Sequence, residues 1–204
     1  MIKTIRYYAN KVFLKLQTYA FLPLLWRGTR SGIIGLCCFF LFSSFTWRTY
    51  LSYDSPQEIV QANATLFYVR ASNSLYSYDT KDQSVRTFDK VNGLSDCNIT
   101  HIAYNKAAHR LVVAYENQNI DLVNDAGQVT NVSAYYNTST TDNKTINSLY
   151  AYNRYVFMAT AFGIVKLNAA EAEVSDTYKL GFSVDYCYVR DGQIYAASKA
   201  VGIY

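Results

Sequence analysis

Proline is nearly missing from this chain, with only Pro23 and Pro56 in 204 residues. A stretch without proline keeps every backbone N–H free for ladder hydrogen bonds, so the body can be strand throughout. Histidine is as scarce, His101 and His109 alone, which closes most routes to metal binding or general acid–base chemistry. No G-x-x-x-x-G-K-[ST], G-x-G-x-x-G or G-x-S-x-G run occurs. Phosphate cradles, dinucleotide fingerprints and nucleophile elbows are therefore without a sequence basis. The longest uncharged apolar run, Ile33 to Phe45, has thirteen residues and falls short of a comfortable helical membrane span.

Acidic residues are missing from the first part of the chain. Lys3, Arg6, Lys11, Lys15, Arg27 and Arg30 all precede the first carboxylate, Asp54. From Trp47 onward 13 Lys/Arg face 15 Asp/Glu, so the formal charge of +4 belongs to the leader and the body is mildly acidic. A nucleic-acid partner, which needs a basic patch on the folded domain, is thereby disfavoured.

A basic flank, the run Ile33–Phe45 and the small residues around Ser44 and Thr46 describe a secretory signal peptide. Cleavage is expected near Thr46. An uncleaved anchor would want a longer run, and lipoprotein processing would want a cysteine at the end of the run, whereas Cys37 and Cys38 lie inside it. Residues 1–46 are accordingly set apart as a signal peptide or hydrophobic leader, and 47–204 as the folded domain. Two cysteines remain in the body, Cys97 and Cys187; two separate buried thiols are expected rather than a bridge.

What is abundant is aromatic: 20 Tyr and 11 Phe, residue types that pack well on a pleated surface. The body also repeats. Leu66–Ala71 with Leu75–Tyr78, Leu111–Tyr115 with Ile120–Val123, Val156–Thr160 with Ile164–Leu167, and Ile194–Ser198 with Ile203–Tyr204 each read as an apolar strand, a short turn and a second strand. Their starts are 45, 45 and 38 residues apart, the span of a four-stranded propeller blade. Ser84–Phe88, Gln128–Val132 and Glu173–Tyr178 supply half-exposed outer strands; Ile99–Tyr104, Ile146–Tyr152 and Val184–Val189 lead into the next blade. Turns are expected at Asn92-Gly93, Asp125-Ala-Gly127 and Asp191-Gly192. The fold class is all-β: an incomplete β-propeller of three to four blades, which cannot close its ring at Tyr204 and so reads as truncated.

The chemistry-bearing residues are few. Cys97 and His101 have C-x₃-H spacing but lack two further zinc ligands. Asp89, Asn92 and Asp96 suggest a cation loop without its alternating carboxylates and distal Glu, so an Asx-type turn is expected. Asn63, Asn98, Asn131, Asn137 and Asn143 begin N-x-[ST] sequons, which matter only in a eukaryotic secretory pathway. Tyr135-Tyr136, Tyr186 and Tyr188 could form a sugar- or protein-binding platform, although packing between blades accounts for most tyrosines. No catalytic, cofactor or metal residue is assigned, and a propeller enzyme is disfavoured for want of paired carboxylates.

The blocks Trp47-Arg-Thr-Tyr50, Asn92-Gly-Leu-Ser-Asp96, Asn117-Gln-Asn-Ile-Asp-Leu122 and Thr160-Ala-Phe-Gly-Ile-Val165 together resemble the N-terminal propeller of PorZ-type proteins, surface components of the type IX secretion system of Bacteroidetes. The resemblance implies two propellers and a C-terminal sorting domain. It also implies cell-surface display at the outer membrane and work beside a sortase, to which anionic lipopolysaccharide is delivered. It implies a non-enzymatic binding and assembly module without cofactors, touching a membrane only through its leader. Related blades occur in the periplasmic ligand-sensing regions of hybrid two-component regulators, which stand as the alternative. A sorting domain beyond Tyr204 would mark the first, a transmembrane helix and kinase the second.

Overall fold

The structure, a computed structural model, describes residues 53–204; the leader assigned to residues 1–46 lies outside them. Among the described residues fifteen strands follow one another as antiparallel meanders. Blade 1 is β1 (Pro56–Gln61), β2 (Leu66–Ala71), β3 (Ser74–Asp79) and β4 (Val85–Phe88). Blade 2 is β5 (Ile99–Asn105), β6 (Arg110–Tyr115), β7 (Ile120–Asn124) and β8 (Val129–Asn131). Blade 3 is β9 (Ile146–Tyr152), β10 (Tyr155–Thr160), β11 (Gly163–Asn168) and β12 (Glu173–Lys179). Blade 4 has three strands, β13 (Tyr186–Arg190), β14 (Gln193–Ser198) and β15 (Gly202–Ile203). The first strands β1, β5, β9 and β13 touch in succession, so they form the inner wall and β4, β8 and β12 the outer rim.

The repeat expected from the sequence is this blade series, and the architecture is a partial propeller. Two elements went unread. β1 begins with the exposed polar Pro56-Gln57 and shows little apolar alternation, and a four-residue helix, α1 (Ala134–Asn137), sits in the β8–β9 crossover, too short for a helical period to appear.

Each central blade is buried on both faces, because successive side chains of a strand point to opposite sides. On β6, Leu111, Val113 and Tyr115 enter the core between blades 1 and 2, while Val112 and Ala114 enter the core between blades 2 and 3. On β10, Val156 and Met158 face blade 2 while Phe157 and Ala159 face blade 4. This explains the unbroken apolar runs Leu-Val-Val-Ala and Val-Phe-Met-Ala. Each large aliphatic side chain so buried contributes about 1.5–3 kcal/mol.

The first strands break this alternation at one place. A bulge falls at Gln57 in β1, Thr100 in β5 and Asn147 in β9. Across it Ile99 and Ile102, three residues apart, share the blade 1–2 core. Across the bulge in β9, Ile146 and Leu149 share the next core. An extra residue in one strand of a pair is what lets residues three apart face the same way.

Turn chemistry is as the sequence indicates at Asp191-Gly192, where both residues have positive φ (51° and 78°), the signature of a type I′ hairpin. Gly163, in the Thr-x-Phe-Gly-Ile-Val block, is required for space. At φ +152° its Cβ would lie 2.0 Å from the Tyr178 carbonyl oxygen, and that oxygen belongs to the paired backbone of β12. Gly163→Ala is expected to cost about 3 kcal/mol or more, because a backbone clash cannot relax by rotamer change. Gly192→Ala, where a Cβ would meet nothing within 4 Å, is expected to cost only about 1 kcal/mol. Denaturant midpoints of the two variants check the difference.

Candidate functional site

The two most distinctive sequence blocks meet in space. Asn92–Asp96 lies in the β4–β5 crossover, which passes from blade 1 to blade 2; Asn117–Leu122 forms the β6–β7 turn and the start of β7. Asp121 is fully buried. Its carboxylate accepts hydrogen bonds from the Ser95 N–H (2.7 Å) and Ser95 hydroxyl (2.7 Å), the Tyr115 hydroxyl (2.6 Å) and the Asn131 side-chain amide (2.8 Å). Burial, then the adjoining carboxylate, pushes the Tyr115 phenol well above its usual range, so it remains a donor. The reciprocal half is Asp96, whose Oδ2 accepts from the amides of Asn117 and Asn119, each at 2.9 Å, with Lys90 3.7 Å from its other oxygen. The Asn117 and Asn119 hydrogen bonds lead the causes that lower the Asp96 pKa. The two segments are thus clasped by two carboxylates, each supplied by one segment and bonded by donors from the other.

A second polar link joins the inner strands. Glu58 of β1 accepts from the backbone N–H of Ile102 (2.9 Å) and pairs with His101 Nδ1 (3.1 Å), both on β5, and with Arg70 Nε (3.1 Å) on β2. The bulge at Gln57 turns Glu58 toward blade 2. Burial raises its pKa, but the His101 and Ile102 hydrogen bonds and the positive field of His101 and Arg70 together outweigh it, leaving a net lowering. Between blades 2 and 3 the Asn105 amide donates to the Tyr155 carbonyl (2.9 Å). Between blades 3 and 4, Asn147 donates to the Val184 carbonyl (2.7 Å) and Ser148 to that of Asp185 (2.8 Å).

The residues singled out in the sequence divide accordingly. Cys97, expected to be a buried thiol, is instead exposed in the polar crossover loop, while His101 is bonded to Glu58, and among the described residues no three His, Cys, Asp or Glu side chains are grouped to hold a metal. His109 lies 3.4 Å from Asp125 on the surface. Asp89 accepts the Asn92 N–H in a turn, and Asp96 serves the clasp. Cys187 is buried in the blade 3–4 core, apart from any bridge, and burial pushes its thiol up to about 12.

Of the sequon residues, Asn63 and Asn143 cap turns through their side chains, Asn98 donates to Glu116, Asn131 is drawn into the clasp and Asn137 ends α1. Tyr135 is buried with its hydroxyl on the Lys144 carbonyl, whereas Tyr136 is exposed. Tyr186 and Tyr188 are exposed on β13, Tyr188 against Tyr150. The four tyrosines therefore sit on two different elements. Sequence reasoning missed Glu58 and Asp121. For Asp121 the available signal was a lone carboxylate within the apolar Ile120–Val123 strand.

The family described as the type IX secretion PorZ N-terminal β-propeller domain matches residues 67–204. PorZ of Porphyromonas gingivalis, described as an essential bacterial surface component of the type IX secretion system, is similar at 29% identity and TM-score 0.64. The match covers 76% of this chain and 22% of that one, so this sequence spans under a quarter of that relative. The extracellular domain of a putative one-component system from B. thetaiotaomicron is similar at 15% identity and TM-score 0.58, covering 78% and 23%. The computationally designed Ika4 protein is similar at 11% identity and TM-score 0.57, covering 76% and 93%. These last two share the fold. A search of curated proteins finds no match.

Asp121→Ala removes the acceptor of four donor groups on Ser95, Tyr115 and Asn131 and is expected to cost about 3 kcal/mol or more. With Ser95→Ala it should be strongly non-additive in a double-mutant cycle of chemical denaturation. Glu58, with a lowered folded pKa, contributes stability that is present above its unfolded value and lost as pH falls through the folded one. Glu58→Gln is expected to flatten that acid limb of the melting temperature; an unchanged pH profile would count against the link.

Proposed function

The chain belongs to the family of PorZ N-terminal β-propeller domains, and on that premise we propose that it is a non-catalytic binding and assembly domain of a type IX secretion component displayed at the cell surface. The observation that carries this reading is the family match over residues 67–204, joined by the 29% identity to PorZ of P. gingivalis. The clasp chemistry supports it: the most distinctive polar residues bond to one another across loops and hold blades in register, as a scaffold requires. In this reading residues 1–46 are an export leader, the only part that meets a membrane, and 47–204 are the partial propeller. Its partners are the surface sortase and anionic lipopolysaccharide, which it helps to deliver.

Affinity capture of the intact protein from cells running this secretion route is expected to recover the sortase together with anionic lipopolysaccharide, and little of the neutral form. Capture that recovers neither would overturn the reading. A protein that remains inside the outer membrane, protected from added protease on whole cells, would overturn the surface location.

A further inference from the structure

A cleft of about 180 Å³ opens beside α1, where the β8–β9 crossover passes over the outer strands of blade 3. Tyr135, Phe162 and Val174 form its apolar wall. Its polar rim is Ser139, Thr140, Asp142, Thr177 and Lys179. A cleft of that size takes a small molecule on the scale of one six-membered sugar ring. We propose that this cleft binds a single neutral pyranose.

The chemistry on either side matches that ligand. A pyranose has an apolar C–H face and a rim of hydroxyls, and the cleft has an apolar wall and a hydroxyl-rich rim. The hydroxyls of Ser139 and Thr177 donate no hydrogen bond among the described residues, which leaves them for a ligand. The rim is built in advance. Lys144 Nζ donates to the carbonyls of Tyr135 (3.2 Å), Tyr136 (2.8 Å) and Thr138 (3.0 Å), closing the end of α1. The Tyr135 hydroxyl donates to the Lys144 carbonyl (2.7 Å). Thr140 donates to Asp142, whose N–H returns to the Thr140 hydroxyl. Such fixing lowers the ordering cost of binding.

Neutrality follows from the charges. Asp142 and Lys179 face each other at 2.9 Å and cancel, and the Lys144 ammonium is saturated by three carbonyls. An anionic or cationic ligand would meet no unpaired counter-charge and would have to break the Asp142–Lys179 pair to find one. Asp142 remains able to accept sugar hydroxyls, since its side-chain donors Thr140 and Lys179 both lie on one oxygen, Oδ2.

The test titrates the intact protein with D-glucose, D-galactose, D-mannose and N-acetyl-D-glucosamine, with D-glucuronate as the charged comparator. Saturation-transfer NMR and calorimetry provide the readouts. At least one neutral sugar is expected to bind saturably and more tightly than glucuronate. The exposed pair Ser139→Val/Thr177→Val, which keeps the fold, should weaken it about tenfold or more, while Tyr188→Ser on blade 4 leaves it unchanged. No saturation by any neutral sugar, a Ser139→Val/Thr177→Val variant that binds like the parent, or tighter binding of glucuronate would each overturn the proposal. The outcome is independent of the secretion reading, which stands or falls on the sortase and lipopolysaccharide capture.

Discussion

A sheet that is apolar on both faces is stable in water only when something lies on each side of it. Everything else in this molecule follows from how that demand is met. The Leu111–Tyr115 and Val156–Thr160 strands send alternate side chains into two different cores, so neither core belongs to one blade. Removing a side chain from β6 opens a cavity against a neighbouring sheet, and the loss is felt by two blades together. Stability in such an arrangement is a chain of neighbour terms, and the interfaces carry more of it than the hairpins do.

Apolar burial is non-directional, and sheets that pack through it alone could slide past one another. Direction comes from the polar links between blades. Asp121 and Asp96 make the blade 1–2 crossover specific: the crossover loop and the β6–β7 turn each offer a carboxylate and each supply amide or hydroxyl donors to the other. Glu58 does the same for the inner strands by accepting a backbone N–H from β5. A fully satisfied buried carboxylate such as Asp121 contributes modest net free energy but a large penalty for any register in which a donor is missing.

The blades were legible in the sequence because paired strands buried on both faces write long apolar runs, and these recur at nearly constant spacing. The first blade's inner strand was not, since Pro56-Gln57-Glu58 is polar and of its two aliphatics Ile59 is exposed and only Val60 packs against the core. Nor was the clasp. Ser95 and Asp121 are 26 residues apart, and a serine in a polar loop looks the same whether it is solvated or bonded to a buried carboxylate. The sequence blocks marked that those residues matter in combination, but only the three-dimensional pairing of loop with loop shows that the combination is structural. Conversely, the C-x₃-H spacing that hinted at a metal dissolves because a bulge at Thr100 and a strand start at Ile99 lie between the two residues. The cleft beside α1 was invisible from sequence for a similar reason: its walls come from a crossover and from two strands of the following blade.

The bulges at Gln57, Thr100 and Asn147 act on the inner strands as a phase marker. Upstream and downstream of each, the chain keeps the two-residue rhythm, but the extra residue resets which neighbour a given position addresses. Deleting one of these residues would therefore not simply shorten a strand. It would exchange the allegiance of every side chain on one side of the deletion, sending Ile99 or Ile146 away from the core that Ile102 or Leu149 still fills. An insertion of the same size in a hairpin turn of the outer rim would be absorbed locally. Length variation in this lineage of blades should thus be tolerated at the periphery and resisted at three single positions near the axis, where one residue determines the parity of a whole strand.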